Sequence, residues 1–358
     1  MNVNPETPSV VKTRPPQLIR SLIGGFNAVA NNVHLILLPI LLDLLLWFGP
    51  HFRLKVLVWP FVRDMFESMQ RSSAPEARPM LDNLQEIWQI SLEHFNLTSG
   101  LSTFPVGLPS LMAGQLPLET PIGTPPMIEV RSFAGMVLGW LGFSLAGLVI
   151  GSLYLSALAR CSAQVPTQEP ASEPEGDHVP GSPVRTVEAR PQAPRVPPLR
   201  ADVLVWQTLQ LIALVILFFI MVLLILVPAI LLSSFLALIS LGLAQIALLL
   251  ISFSAIWFLA PVIFTPHGIF AAGQNLFRSI FTSTRVVRYS LPGVGLFLLT
   301  SIILYQGLGI LWNAAPATSW MALVGIFGHA FVSSALLAAS FVYYRSGLEY
   351  IQSVRRRF

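Results

Sequence analysis

Asp43 is the one carboxylate set inside a long apolar stretch of this chain. At the centre of a membrane helix such a group costs about 2.5–3.5 kcal/mol on insertion scales, which makes it a functional candidate. Asn32 stands eleven residues earlier, about 20° away around an ideal helix, so the two would share a face. Pro39, four before Asp43, frees a backbone carbonyl near that face. Two readings follow: a proton or cation site, or a carboxylate packed near the outer end of its helix.

The other polar groups inside apolar stretches are fewer and milder. His329 belongs to a stripe of small residues with Ala322, Gly325, Ser333 and Ser340, the pattern that lets helices approach closely and share hydrogen bonds. Gln245 and Ser252 are seven residues apart and form an internal polar edge. His34 falls on the face opposite Asp43. Gly135-x-x-x-Gly139 and Gly147-x-x-x-Gly151 predict a tight helix contact. The catalytic signatures are missing: no His-Glu-x-x-His, Gly-x-Ser-x-Gly, phosphate-binding loop or cysteine cluster occurs. His51 and His94 lack metal-ligand company, so no metal or cofactor is expected. The single cysteine, Cys161, excludes an intramolecular disulfide and reads as an inert thiol or an acylation site near a membrane face.

The elements that must position these residues are apolar helices. Hydrophobic residues make up 54% of the 358, charged ones only 11%, and the mean hydropathy is +0.70. Soluble domains carry about 25% charged residues. Six stretches, 28–49, 133–158, 206–232, 235–264, 291–314 and 319–344, each reach the ~20 residues that cross a ~30 Å hydrocarbon core. The expectation is an all-α integral membrane protein with six transmembrane helices, an external helical and extended subdomain and a cytoplasmic amphipathic elbow helix.

The basic residues orient it. Fifteen of the 21 Lys and Arg fall on the side of the termini; six fall in the 50–132 segment among eight acidic residues. The positive-inside rule then places both termini in the cytoplasm of a plasma (inner) membrane protein. The basic balance, pI near 9.6, needs no nucleic acid to explain it.

Along the chain this gives a cytoplasmic segment (1–27), the first span (28–49) and an external subdomain (50–132). The second span (133–158) precedes a linker (159–205), then come a two-span hairpin (206–264), the elbow (265–290), a second hairpin (291–344) and a basic tail (345–358). Within 50–132, apolar residues at three- and four-residue steps predict two helices, Leu54–Met69 and Met80–Phe95. The proline-rich apolar run Leu101–Val130 is expected as extended chain packed on the bundle. The linker, with nine prolines and no aromatic residue between 161 and 200, is expected to be disordered.

From Gly268 to Tyr289 the pattern is amphipathic. Phe270, Phe277 and Phe281 share a side, with Arg278 and Arg285 flanking. Arg288 falls in line with the phenylalanines, so the helix is expected to end before it. Arg278, Arg285 and Arg288 are candidates for anionic lipid head groups; a plain re-entry elbow is the alternative.

The run Leu259-Ala260-Pro261-Val262-Ile263-Phe264, followed by Asn275-Leu276-Phe277-Arg278-Ser279 and Arg288, resembles uncharacterised bacterial multi-span membrane families. It resembles in particular the membrane-anchor domain attached to some glycerophosphodiester phosphodiesterases. The resemblance covers about residues 235–345. Those families often carry an acidic residue after the proline-bearing helix end, where this chain has Thr265-Pro266-His267. It implies an anchor architecture and no hydrolysis. The sequence therefore points first to a non-enzymatic scaffold or accessory membrane subunit, engaging the bilayer and a protein partner through 50–132. The alternative is a small-solute or ion transporter using Asp43, Asn32, Gln245 and His329.

Overall fold

The computed structural model describes residues 15–73, 75, 78–103, 106–165, 196–197 and 200–355. The expected disordered linker lies mostly outside them. Helix α1 spans Leu18–Ala30; a 3-10 turn, Val33–Ile36, leads into α2, Leu37–Phe48. The 50–132 segment holds β1 (His51–Arg53), α3 (Lys55–Ser72), α4 (Arg78–His94), a 3-10 turn (Leu97–Ser102), α5 (Met112–Gln115) and β2 (Met127–Glu129). Then follow α6 (Phe133–Ala163), α7 (Ala201–Ala237), α8 (Leu241–Ile263), α9 (Thr265–Ala272), α10 (Leu276–Tyr289), α11 (Leu291–Trp312) and α12 (Ala322–Arg355). β1 and β2 pair in parallel, His51 beside Met127 and Arg53 beside Glu129, which closes the 50–132 segment on itself.

Four helices, α6, α7, α11 and α12, are long and apolar enough to cross a membrane, and α1 with α2 makes a fifth if the bent pair is one span. In α8 the apolar run within the described side chains, Leu241–Ala255, is shorter. The first of the six expected spans therefore differs most from its expectation. It starts ten residues earlier, at Leu18, and bends by 89°. The cause lies in Asn31-Asn32: the Asn32 side chain donates to the Ala28 carbonyl at 2.9 Å, and its backbone leaves the helical region (φ −135°, ψ 58°). Asparagine offers such local hydrogen bonds in competition with the helix. Asn32 and Asp43 consequently lie on different segments and share no helical face.

The central element is α12, buried over 67% of its apolar window against 11% for each of α6, α7 and α11. Its small residues make this possible. Ala330, Ala335, Ala338 and Ala339 are fully buried, and Gly25 of α1 meets them so closely that a Cβ would sit 2.3 Å from the Ala339 nitrogen. Tyr154 of α6 donates to Ser334 at 2.8 Å. Gln207 of α7 accepts from Ser156 and donates to the Ile269 carbonyl, tying α6, α7 and α9 together.

The glycines of α6 do not receive another span. They receive the chain between Leu97 and Gly107: a Cβ on Gly147 would lie 2.4 Å from the Leu101 carbonyl oxygen, and one on Gly139 would strike Leu97. This part of the proline-rich segment thus lies along the helix bundle.

The elbow is two helices and not one. Gly273, at φ +60°, ends α9, and the left-handed backbone there favours glycine. Phe270 is buried in α9, whereas Phe277 and Phe281 of α10 are exposed. α10 packs through Ser279, Ser283, Val286 and Val287 and continues through Arg288. That arginine lies on the exposed side with the phenylalanines, where nothing forces the helix to end.

Candidate functional site

Asp43 is fully buried near the middle of α2. Its carboxylate accepts three hydrogen bonds from the inserted segment: the Ser110 hydroxyl, the Leu111 N–H at 3.2 Å and the Met112 N–H at 3.0 Å. The Ser110 oxygen accepts in turn from the Ala113 N–H at 3.0 Å. A buried carboxylate without donors is heavily penalised; here the donors come from the start of α5, which Asp43 pins against α2. Around this contact Trp47 donates to the Ala317 carbonyl at 2.9 Å, fixing the α11–α12 connection to the end of α2.

Ser110 has a second neighbour, a cavity of about 650 Å³. Its walls come from residues 102–103 and 106–110, the end of α8, α9, and the middles of α11 and α12, with Leu155 of α6 and Phe218 of α7. Pockets for small ligands run about 300–1,000 Å³. The deep end is mostly apolar, built by Phe264, Phe297, Leu336 and Leu337. The two polar groups there, His267 Nε2 and Ser340 Oγ, hydrogen-bond each other at 2.6 Å. The other end carries Ser102, Ser110, Ser301, Tyr305 and Gln306. Ser301 Oγ is buried without a partner.

At Thr103 this wall holds an uncommon backbone state. Thr103 has φ +38°, a genuine outlier for a β-branched residue, and its hydroxyl donates to the Val106 carbonyl at 3.1 Å. Such strain persists only where surrounding structure over-determines it. α8 and α11 both line the cavity; among the described residues they make few contacts with each other, and Ile302 and Tyr305 of α11 are exposed.

Of the residues singled out from the sequence, two converge here from behind the wall. Asp43 reaches the cavity through Ser110, and His329 through Tyr305, whose hydroxyl lies 3.2 Å from His329 Nε2. Asn32 is engaged within its own helix turn. Gln245 is exposed on α8 and is not among the lining residues. Arg278, Arg285 and Arg288 are exposed on α10, away from the cavity. The cavity residues Ser110, Ser301, Tyr305 and Gln306 carried no sequence signal, because each is an ordinary polar residue in its own stretch. Only the juxtaposition of α11 with the 102–110 segment gives them a common space. Among the described residues no cluster of His, Cys, Asp and Glu suits a metal ion.

In the 50–132 segment, His51 Nε2 lies 3.0 Å from the Leu46 carbonyl, and burial lowers the imidazole pKa below its ordinary value. Lys55 pairs with Glu93, and that hydrogen bond holds the Glu93 carboxyl below the usual glutamate range. The first contact ties β1 to α2, the second α3 to α4, and both lie outside the cavity.

No family model, curated protein or solved structure matches the chain.

Proposed function

We propose that the chain is a six-span inner-membrane protein with cytoplasmic termini and no catalytic machinery, which binds a small molecule in the cavity between α8, α9, α11 and α12 as one step of its transfer. The carrying observation is the cavity itself, walled on one side by residues 102–103 and by the irregular chain 106–110 that Asp43 anchors through Ser110. Irregular backbone at membrane depth is tolerated where it is buried in protein or lines a cavity. Broken helices beside a central site are also a recurring construction of transporters, and α1–α2 is bent by 89°. α8 supplies the sixth span in this reading, and the aromatic residues Trp47, Phe48 and Trp320, clustered in tilted and edge-on contacts, suit a membrane–water interface.

The test is thiol access. In a Cys161→Ser background, Ser333→Cys and Ser301→Cys should react with a small membrane-impermeant thiol reagent applied to one face of membrane vesicles. Leu214→Cys, at a buried helix contact, should not. Complete inertness of both cavity cysteines would remove the reading.

The scaffold reading keeps one supporting observation. Most large side chains from Ile216 to Phe253, on α7 and α8, are exposed, on an apolar hairpin whose two helices pack on each other and on α6, α9 and α10. Cross-linking in native membranes through residues of this hairpin would recover a partner protein if it docks one; recovery of the chain alone would count against it.

A further inference from the structure

Resting on that reading, we infer that the occupant of the cavity is a neutral single-chain amphiphile of the monoacylglycerol type, entering from the bilayer between α8 and α11. Four observations carry this. The first is the separation of apolar and polar lining. Phe264, Phe297, Leu336 and Leu337 wall one stretch of the cavity, and the two polar side chains beside them, His267 and Ser340, hydrogen-bond each other, with His267 Nδ1 left unpaired. A hydrocarbon chain there meets mostly carbon.

The second is the state of the polar groups at the other end. Ser301 and Tyr305 are one helical turn apart on α11, with Gln306 adjacent, and all three line the cavity. Ser301 Oγ is buried with no partner. A buried unsatisfied hydroxyl costs about 1–3 kcal/mol, so a ligand hydroxyl or ester carbonyl here gains what the protein has left unmade. A glycerol or similar polyol head offers donors and acceptors together, which matches a set made of hydroxyls and one amide.

The third is charge. Among the described lining residues there is no Lys, Arg, Asp or Glu, and His267 is the one histidine; behind the wall stand the Asp43 carboxyl, one hydrogen bond beyond Ser110, and His329, one beyond Tyr305. A phosphate or carboxylate head would find no lysine or arginine and would face an acid. A neutral head meets neither difficulty. The fourth is access: among the described residues α8 and α11 make few contacts with each other, and Ile302 and Tyr305 on that side of α11 are exposed, on helices whose outer surfaces are apolar. A molecule dissolved in the bilayer can slide through that side chain-first.

The test is native mass spectrometry of the full chain in detergent, titrated with monooleoylglycerol and, separately, with lysophosphatidic acid carrying the same acyl chain. Ser301→Trp fills the cavity mouth, and Leu299→Trp places the same bulk on an exposed face of α11 as a control for folding. The expected result is one monooleoylglycerol bound per chain, at least tenfold weaker binding of the anionic analogue, and at least tenfold weaker monooleoylglycerol binding by Ser301→Trp but not by Leu299→Trp. A photoreactive monoacylglycerol should label α11 and α12 at residues 297–306 and 333–340. Equal binding of the two lipids, binding indifferent to Ser301→Trp, or labelling confined to the α7–α8 hairpin would each overturn the inference. If monooleoylglycerol fails to bind while Ser333→Cys still reacts with the water-soluble thiol reagent, the amphiphile is refuted and the cavity's small-molecule role stands. If both fail, both fall.

Discussion

The Ser110 hydroxyl donates to the Asp43 carboxylate across 67 residues of sequence. With the Leu111 and Met112 amides, it fixes the inserted segment 97–112 to α2. The same serine lines the cavity. A buried acid that the sequence marks as costly is therefore a structural anchor whose effect reaches the cavity wall. Hydrogen bonds to a charged acceptor are worth about 1.5–3 kcal/mol each, enough to offset much of the cost of placing Asp43 in the apolar interior.

Close approach of α1 to α12 depends on Gly25. Gly25→Val is expected to destabilise the protein by about 1–3 kcal/mol or more, the range for overpacking a filled interior, because the atoms it meets are backbone and cannot move aside. Gly295→Ala, where nothing lies within 4 Å, should be close to neutral. Thermal unfolding in detergent compares the two.

Acidification should loosen the 50–132 segment in two stages. His51 has a lowered pKa in the folded protein, so the unfolded segment binds the proton more readily. Stability is kept above the ordinary histidine value of about 6.5 and declines as pH falls from there towards the folded value. Glu93 behaves as a depressed carboxylate held by Lys55. Its contribution is present above the ordinary glutamate pKa and is lost as pH falls through the folded value. Protection of the amides of β1 and the end of α2, from exchange rates corrected for their intrinsic pH dependence, should fall first below about pH 6.5, and His51→Gln should abolish that first stage. An unchanged pH profile in His51→Gln would contradict the assignment.

The exposed face of α10, with Phe277 and Phe281 beside Arg278 and Arg285, suits an anionic membrane surface. Each basic residue near such a surface is worth about 1 kcal/mol. Arg278→Gln with Arg285→Gln should therefore reduce the ratio of phosphatidylglycerol to phosphatidylethanolamine that copurifies with the protein. An unchanged ratio would assign these arginines to topology alone.

Much of the helical architecture is legible in the residues. The long apolar runs of α6, α7, α11 and α12 specify helices, since hydrocarbon leaves backbone groups no other partner. The bend after Ala30 is less legible. Hydropathy passes smoothly through Asn31-Asn32, and the local hydrogen bond from Asn32 to Ala28 decides the outcome. The α6 glycines announce a close contact, but their spacing does not say with what: the Leu97–Gly107 chain fills the groove in place of a helix. On α10 the amphipathic pattern is legible, but the break at Gly273 that separates Phe270 from Phe277 and Phe281 is not, and Ser279 donates to the Thr265 carbonyl across it. The cavity was the least legible part. Asp43 and His329 stood out by chemistry, but the groups that face the space, Ser110 and Tyr305, acquire meaning only from contacts between segments distant in sequence.

The central claim is that Asp43 holds the inserted segment through Ser110, and a double-mutant cycle of Asp43→Asn and Ser110→Ala tests it most directly. Stability of the full chain in detergent would be measured for the parent, both single variants and the double variant. The account predicts that the single losses do not add, with a coupling of about 1.5–3 kcal/mol between the two positions. Additive losses, with coupling near zero, would contradict it.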